Sequence, residues 1–260
     1  MTELVTGALS GGVATITLNR PEAHNAMSWG LIDAFGTVAE RLAGDPGTRA
    51  FLLRGEGKNF CVGGDIRAFA EEADAAEFIK RLAGRLHEGL KALFDHPAPV
   101  VVAAQGAAAG AGLSMVAGGD IVLAGRSATF SMAYTGIGLT ADGGATWLLP
   151  RVIGLRRTQE LAYLGRRLNA GEAADYGLVT RVVDDEALAA EAEATAAKIA
   201  AGPTAAFGAL KRLLADSSGA TYADHLDDEA DAIGRTMAST DAKAGVAAFL
   251  GRRAPIFTGT

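Results

Sequence analysis

Asn59-Phe-Cys-Val-Gly-Gly-Asp-Ile66 and Gln105-Gly-Ala-Ala-Ala-Gly-Ala-Gly-Leu113 each follow an apolar, β-branched run and lead into helix-like sequence. A helix start leaves backbone N–H groups without intrahelical partners, and these can face an anion. Two such starts turned toward one pocket would form an oxyanion hole from main chain alone. One glycine-rich turn only relieves steric strain. The order and spacing of several such segments in one chain carry the information.

Outward from these segments, Ala50-Phe-Leu-Leu53 reads as a strand stopped by Gly55 and Gly57. Pro99-Val-Val-Val-Ala-Ala104 is apolar on both faces, as in a sheet covered on each side. Val13-Ala-Thr-Ile-Thr-Leu18 is a further strand that ends at Asn19-Arg-Pro21, and Asp120-Ile-Val-Leu-Ala124 is another. Ser28 to Leu42 has helical spacing of Leu31, Phe35, Val38 and Leu42, with Gly44 just beyond. Ile66 to Phe94 reads as a long helical region with an interruption expected near Gly84 or Gly89, and Gly110 to Ala117 as a small-residue helix. Strands alternating with helices indicate an α/β fold with parallel pairing. From Glu186 onward Ala-rich amphipathic segments dominate, punctuated by Gly202-Pro203 and Ser217-Ser-Gly219. The expected division is therefore an α/β core over residues 1–200 and a helical C-terminal region over 201–260.

The chain has 260 residues, 49% of them hydrophobic and 21% charged, which is globular rather than disordered composition. A net charge of −6 argues against a general nucleic-acid binder, whose surface must attract phosphates over long range. It leaves room for an anionic small ligand held by a few local cations. Cys61 is the single cysteine, so no intrachain disulfide can form, and a reducing cytoplasm is the expected setting. No signal peptide and no apolar run long enough for a bilayer are visible, so no membrane partner is expected.

Taken together these segments resemble the crotonase superfamily, the enoyl-CoA hydratase/isomerase fold. The stretches that carry the resemblance are Ile16 to Met27, Phe60 to Ile66, Gln105 to Asp120, Gly136 to Gly144 and Ser239 to Leu250, in family order. The resemblance implies a spiral of ββα units with a C-terminal helical trimerisation region, assembled as a homotrimer or hexamer. It also implies an acyl-CoA thioester substrate, with coenzyme A as part of that substrate and no separate cofactor. The oxyanion donors should be the N–H groups of Gly64 and Ala111. In that family an N–H pair stabilises the enolate that forms when a proton leaves the carbon beside the thioester.

Hydratases of this family use two glutamates, and in register those positions hold Ser114 and Tyr134 here. Neither side chain can serve as a carboxylate base. Asp142, in Thr140-Ala-Asp-Gly-Gly144, resembles the acid position of Δ3,Δ2-enoyl-CoA isomerases and of the isomerases acting on epoxyphenylacetyl-CoA. The expected activity is double-bond isomerisation with Asp142 as the single acid/base. Three alternatives stand beside it: an enoyl-CoA hydratase, an acyl-CoA hydrolase, and a non-catalytic acyl-CoA-binding protein. Asp142 could equally be the N-cap of a helix starting at Ala145.

Coenzyme A carries phosphates, so an acidic chain needs local cations. Arg67 matches a nucleotide-contacting position of relatives, and His24, with Arg20 and Lys58, borders the same expected mouth. The Asn25-Ala26-Met27 step resembles the segment that meets the adenine and pantetheine. Tyr134, Leu139, Trp147 and Leu148 are expected to wall the acyl pocket, and Phe257 matches a tail aromatic that reaches a neighbouring subunit's ligand. His87, His96 and His225 show no metal-like spacing with acids or Cys61, so no metal is expected.

Overall fold

Val13 pairs with Ala50 and Leu18 with Gly55 in a parallel ladder that seeds the main sheet. In the computed structural model, which describes residues 3–260, that sheet holds six strands in the order given. They are β1 (Val5–Ser10), β2 (Val13–Leu18), β3 (Ala50–Gly55), β4 (Val100–Ala104), β6 (Ile121–Gly125) and β9 (Arg181–Val183). Only β1 runs antiparallel, as one arm of a hairpin turned by Gly11 and Gly12 at φ 57° and 81°. A smaller sheet joins β5 (Ala107–Ala109), β7 (Thr129–Ser131) and β8 (Arg167–Asn169).

The helices of the first half are α1 (Trp29–Ala43), α2 (Ile66–Ala70), α3 (Ala75–Asp95) and α4 (Ala111–Ala117). They are followed by α5 (Ala145–Val152), α6 (Leu155–Leu164), α7 (Ala170–Tyr176) and α8 (Leu188–Ala200). The chain closes with α9 (Thr204–Asp216), α10 (Tyr222–Met237) and α11 (Thr240–Leu250). None of the described helices is long and apolar enough to cross a membrane.

The continuous apolar run of β4 is explained by burial on two sides. Val101 and Ala103 pack with Leu188, Ala192 and Ala196 of α8, whereas Val100, Val102 and Ala104 join the core beneath α1 and α3. Ser28 caps α1, its side chain accepting from the Leu31 N–H. The long helical region over 66–94 is broken at residues 71–74, not at Gly84 or Gly89. Asp74 supplies the new cap by accepting from Glu77 N–H at 3.1 Å. Gly89 sits where α3 crosses α1: a Cβ there would stand 2.8 Å from the Phe35 ring and 3.0 Å from Gly36 Cα. That glycine serves close helix packing, and nothing about it ends the helix.

β4 leads through a turn into β5 and then α4, and β6 leads likewise into β7 and then a short 3-10 turn over Tyr134–Ile137. Cys61, after β3, bridges Ala108 of β5, and β5 pairs with β7 in parallel. The segment through Cys61 and the ends of β5 and β7 therefore lie side by side. Ligand crevices in α/β proteins form at such carboxyl ends, where loops from neighbouring strands meet.

Candidate active site

Gly63-Gly64, Gly110-Ala111 and Ala133-Tyr134 follow those three adjacent segments and converge on one cavity of about 370 Å³. Gly63 at φ 89° and Gly110 at φ 53° hold backbone that side-chain-bearing residues rarely adopt. A Cβ on Gly63 would stand 2.9 Å from Ala109 O, so the two segments cross in contact. Met27 N–H donates to Gly63 O at 2.8 Å and Asp65 N–H to Met27 O at 3.1 Å, which leaves the Gly64 N–H facing away from that ladder. Ala111 is the first residue of α4, so its N–H has no intrahelical acceptor. Among the described residues neither the Gly64 nor the Ala111 N–H finds a protein acceptor, and both residues line the cavity.

Asp142 is the one carboxylate in the cavity wall among the described residues, and Lys80 on α3 the one cation. Tyr134 Oη donates to Asp142 Oδ1 at 2.6 Å. Ser114 Oγ donates to the Asp142 carbonyl at 2.9 Å and lies 3.1 Å from Tyr134 Oη. Burial first, then the Asp142 charge and its hydrogen bond, push the Tyr134 phenol well above its ordinary range, so it stays a donor. Oδ2 has no hydrogen-bond partner among the described residues and is the oxygen left for a ligand. The cap role is not realised by the side chain: α5 begins after Gly144, which makes no side-chain cap bond. Only the Asp142 carbonyl contributes there, accepting from Ala145 N–H at 3.2 Å.

The loop carrying Met27 is pinned by the fully buried Asn25. Its Nδ2 donates to Glu56 O, Asn59 O and Phe60 O at 3.0, 2.9 and 3.0 Å, and its Oδ1 accepts from Arg20 N–H at 2.8 Å. Asn25 has φ 57°, which Asn tolerates better than Ala. Asn25→Ala would strand three carbonyls and one N–H, so unfolding stability should fall by about 3 kcal/mol. Denaturant unfolding checks this, and a loss below about 1 kcal/mol would mean that other contacts hold the loop.

Arg20 is engaged as well, donating to Asp65 Oδ2 at 2.7 Å and to Ala26 O at 3.0 Å. The Arg20 hydrogen bond holds the Asp65 carboxyl below the usual carboxylate range despite some burial. Arg20 thus closes the Ala26 loop onto the start of α2, where Asp65 also caps Ala68 N–H. Cys61 donates its thiol to Asn25 O at 3.1 Å, and burial pushes its pKa up to about 12. It remains a protonated packing residue.

Of the expected binding residues, Met27 and Tyr134 stand in the cavity wall with Leu139. Ala26 is half-buried and does not line the cavity, and His24, hydrogen-bonded to Asn59, is exposed outside it, as are Arg67 and Lys58. Trp147 and Leu148 are expected in this wall, but the structure places them in another cavity. The reason is that α5 turns away after Gly144, and Trp147 stacks beneath Arg151 at 3.8 Å and edge-on to Phe94. Phe257 is remote from its own chain's cavity: its carbonyl accepts from Arg49, and its ring lies over Gly245. Asp241 fastens that tail, accepting from Thr258 and Gly259 N–H. Nothing in the sequence alone points to Lys80 or to the Tyr134 hydroxyl. Only a register that placed α3 beside Asp142 could have found them.

The profile of the enoyl-CoA hydratase/isomerase family matches residues 8–260. The chain belongs to that family. The 1,2-epoxyphenylacetyl-CoA isomerase of Escherichia coli K12 is 38% identical over 264 residues, covering 100% of both chains. The trans-2-decenoyl-[acyl-carrier-protein] isomerase of Streptococcus mutans is 32% identical, covering 96% of each. The solved enoyl-CoA hydratase of Polaromonas sp. JS666 superposes with a TM-score of 0.91 at 32% identity, covering 98% of this chain and 99% of that one. The enoyl-CoA hydratase/isomerase fold is thus the crotonase α/β fold with a helical C-terminal region.

Proposed function

We propose that this enoyl-CoA hydratase/isomerase family member moves a double bond in an acyl-CoA thioester from the β,γ to the α,β position. The observation that carries the reading is Asp142, the single wall carboxylate among the described residues, whose Oδ2 shares a cavity with two N–H groups that no described residue engages. Those N–H groups, of Gly64 and Ala111, form the oxyanion hole for the thioester oxygen. Asp142 takes a proton from C2, and the electron pair passes into a dienolate whose negative oxygen the two donors hold. The same carboxyl then returns the proton at C4, leaving the double bond conjugated with the thioester. No proton is gained or lost overall, so one acid/base suffices and no cofactor beyond the substrate's own coenzyme A enters. Where hydratases of this family place glutamates, Ser114 and Tyr134 instead orient Asp142.

The test mixes the protein separately with 3-hexenoyl-CoA and 2-hexenoyl-CoA and follows ultraviolet absorbance of the conjugated thioester. Absorbance should rise from the first and hold steady with the second. Decay of the 2-enoyl absorbance would mean hydration and overturn the reading. Tyr134→Phe removes the bond that turns Asp142 Oδ2 toward the ligand. A hydrogen bond to a charged group contributes about 1.5–3 kcal/mol, so kcat should fall about ten- to a hundredfold with KM little changed. An unchanged kcat would reduce the tyrosine to packing.

Large apolar side chains on the C-terminal helices, among them Leu214, Ile233, Phe249 and Leu250, stand 66–83% exposed. We propose that they are covered in a homotrimer or a pair of trimers. Sedimentation equilibrium should return three or six chain masses, and a stable monomer would refute it.

A further inference from the structure

The seam that holds the candidate site continues past Asp142. A second cavity of about 360 Å³ is lined by Leu90, Leu93, Met115, Gly118, Trp147 and Leu148. Three of its walls extend those of the first in chain order, and Leu53 and Val100 of the main sheet complete it. Along α3 the lining passes from Leu82 and Leu86 to Leu90 and Leu93, about 10 Å of helix between Leu86 and Leu93. Along α4 it passes from Ala111 to Met115, and in the third wall from Leu139 and Asp142 to Gly143 and Trp147.

A single polar layer separates the two voids. Ser114 Oγ reaches the Asp142 carbonyl from one side, and the Gly143 N–H donates to His87 Nε2 at 3.1 Å from the other. Ser114 is buried and tied to Gly110, Tyr134 and Asp142, whereas His87 makes only the Gly143 bond among the described residues. His87 is the side chain that can swing aside. Beyond this layer the wall is aliphatic and aromatic apart from Lys91, a surface suited to an apolar occupant.

We infer that the second cavity receives the distal apolar end of the acyl group whose thioester oxygen sits at Gly64 and Ala111. The substrate class is then long-chain acyl-CoA thioesters rather than short ones. This rests on the acyl-CoA reading above, but it needs only binding and no turnover.

Trp147 supplies the probe, since it lines this cavity and the chain has only one other tryptophan, Trp29. In a Trp29→Phe background, saturating dodecanoyl-CoA should shift the Trp147 emission to the blue, and butanoyl-CoA should leave it unmoved. Gly118→Leu extends a side chain into the cavity from a position whose Cβ makes only ordinary contacts, with Met115 O and Ser114 O at 3.6 Å and Leu148 at 3.7 Å. That variant should bind dodecanoyl-CoA at least tenfold more weakly, lose the shift, and bind butanoyl-CoA as before. Leu148→Phe narrows the same space and should show the same selectivity should Gly118→Leu fold poorly.

A silent Trp147 with bound dodecanoyl-CoA would overturn the inference, as would equal weakening of both ligands by the filling variants. Emission already blue and dependent on protein concentration would also overturn it, since a second copy would then occupy the mouth beside Phe94. A protein that passes these tests yet leaves 3-hexenoyl-CoA unconverted keeps its long-chain pocket and loses the isomerase reading. One that isomerises short substrates with Trp147 silent does the reverse.

Discussion

Asp142→Asn is expected to cut the conversion of 3-hexenoyl-CoA by about 10³- to 10⁴-fold in kcat, the upper part of the range for general acid–base catalysis. The size follows from the double duty of one group: Asp142 both removes the C2 proton and returns it at C4, and no other carboxylate stands in the wall among the described residues. The amide keeps the shape and can still accept from Tyr134 Oη, so the loop geometry survives. Because the carboxylate makes no cap bond to α5, its neutralisation should not loosen that helix. KM should move little, since the oxyanion donors and the apolar wall are untouched. Absorbance of the conjugated product gives the rate, and thermal unfolding shows whether the variant is folded. Turnover at the wild-type rate would move the base elsewhere and end the isomerase mechanism as drawn.

Where the apolar pattern is long the sequence is informative: β2, β3, β4 and β6 and the helix capped by Ser28 stand within a residue or two of their expected bounds, and α5 starts at the expected Ala145. Strands of three residues, such as β5, β7 and β9, are too short to display a period, so they escaped notice. α3 was harder for another reason. Glycine there reads as a breaker, yet Gly89 is demanded by the crossing with Phe35 and Gly36, and the actual break comes from Asp74 capping a fresh helix. The candidate site divides the same way. Gly64 and Ala111 could be located from loop chemistry, because a helix start after a glycine turn exposes N–H groups by covalent necessity. Trp147 could not: one residue beyond Gly144 the chain enters a helix, and a 100° step per residue sends that ring to the far side of the wall. Tyr134 is legible as a position but not as a chemistry, since only the fold brings its hydroxyl onto Asp142 across eight residues.

Ala111→Pro should lower kcat by about 10²- to 10³-fold, the loss seen when one oxyanion donor is removed, while leaving the protein folded. Position 111 is the first of α4, where proline's fixed φ fits the helix and its missing N–H breaks no intrahelical bond. Proline also restricts the residue before it, disfavouring right-handed helical backbone there. Gly110, at φ 53° and ψ −126°, lies outside that region. The substitution replaces the N–H by the ring Cδ, so it removes the donor and also sets a methylene where the thioester oxygen would sit, and KM should rise as kcat falls. Ala111→Gly, which keeps the N–H, is the control and should stay within a few-fold of the parent. Gly64 permits no such substitution, because a side chain there would meet the Phe69 ring at 2.5 Å. Retained activity in folded Ala111→Pro would place the thioester oxygen away from α4. Loss there with Asp142 intact, set against loss in Asp142→Asn with both N–H groups intact, separates holding the developing charge from moving the proton.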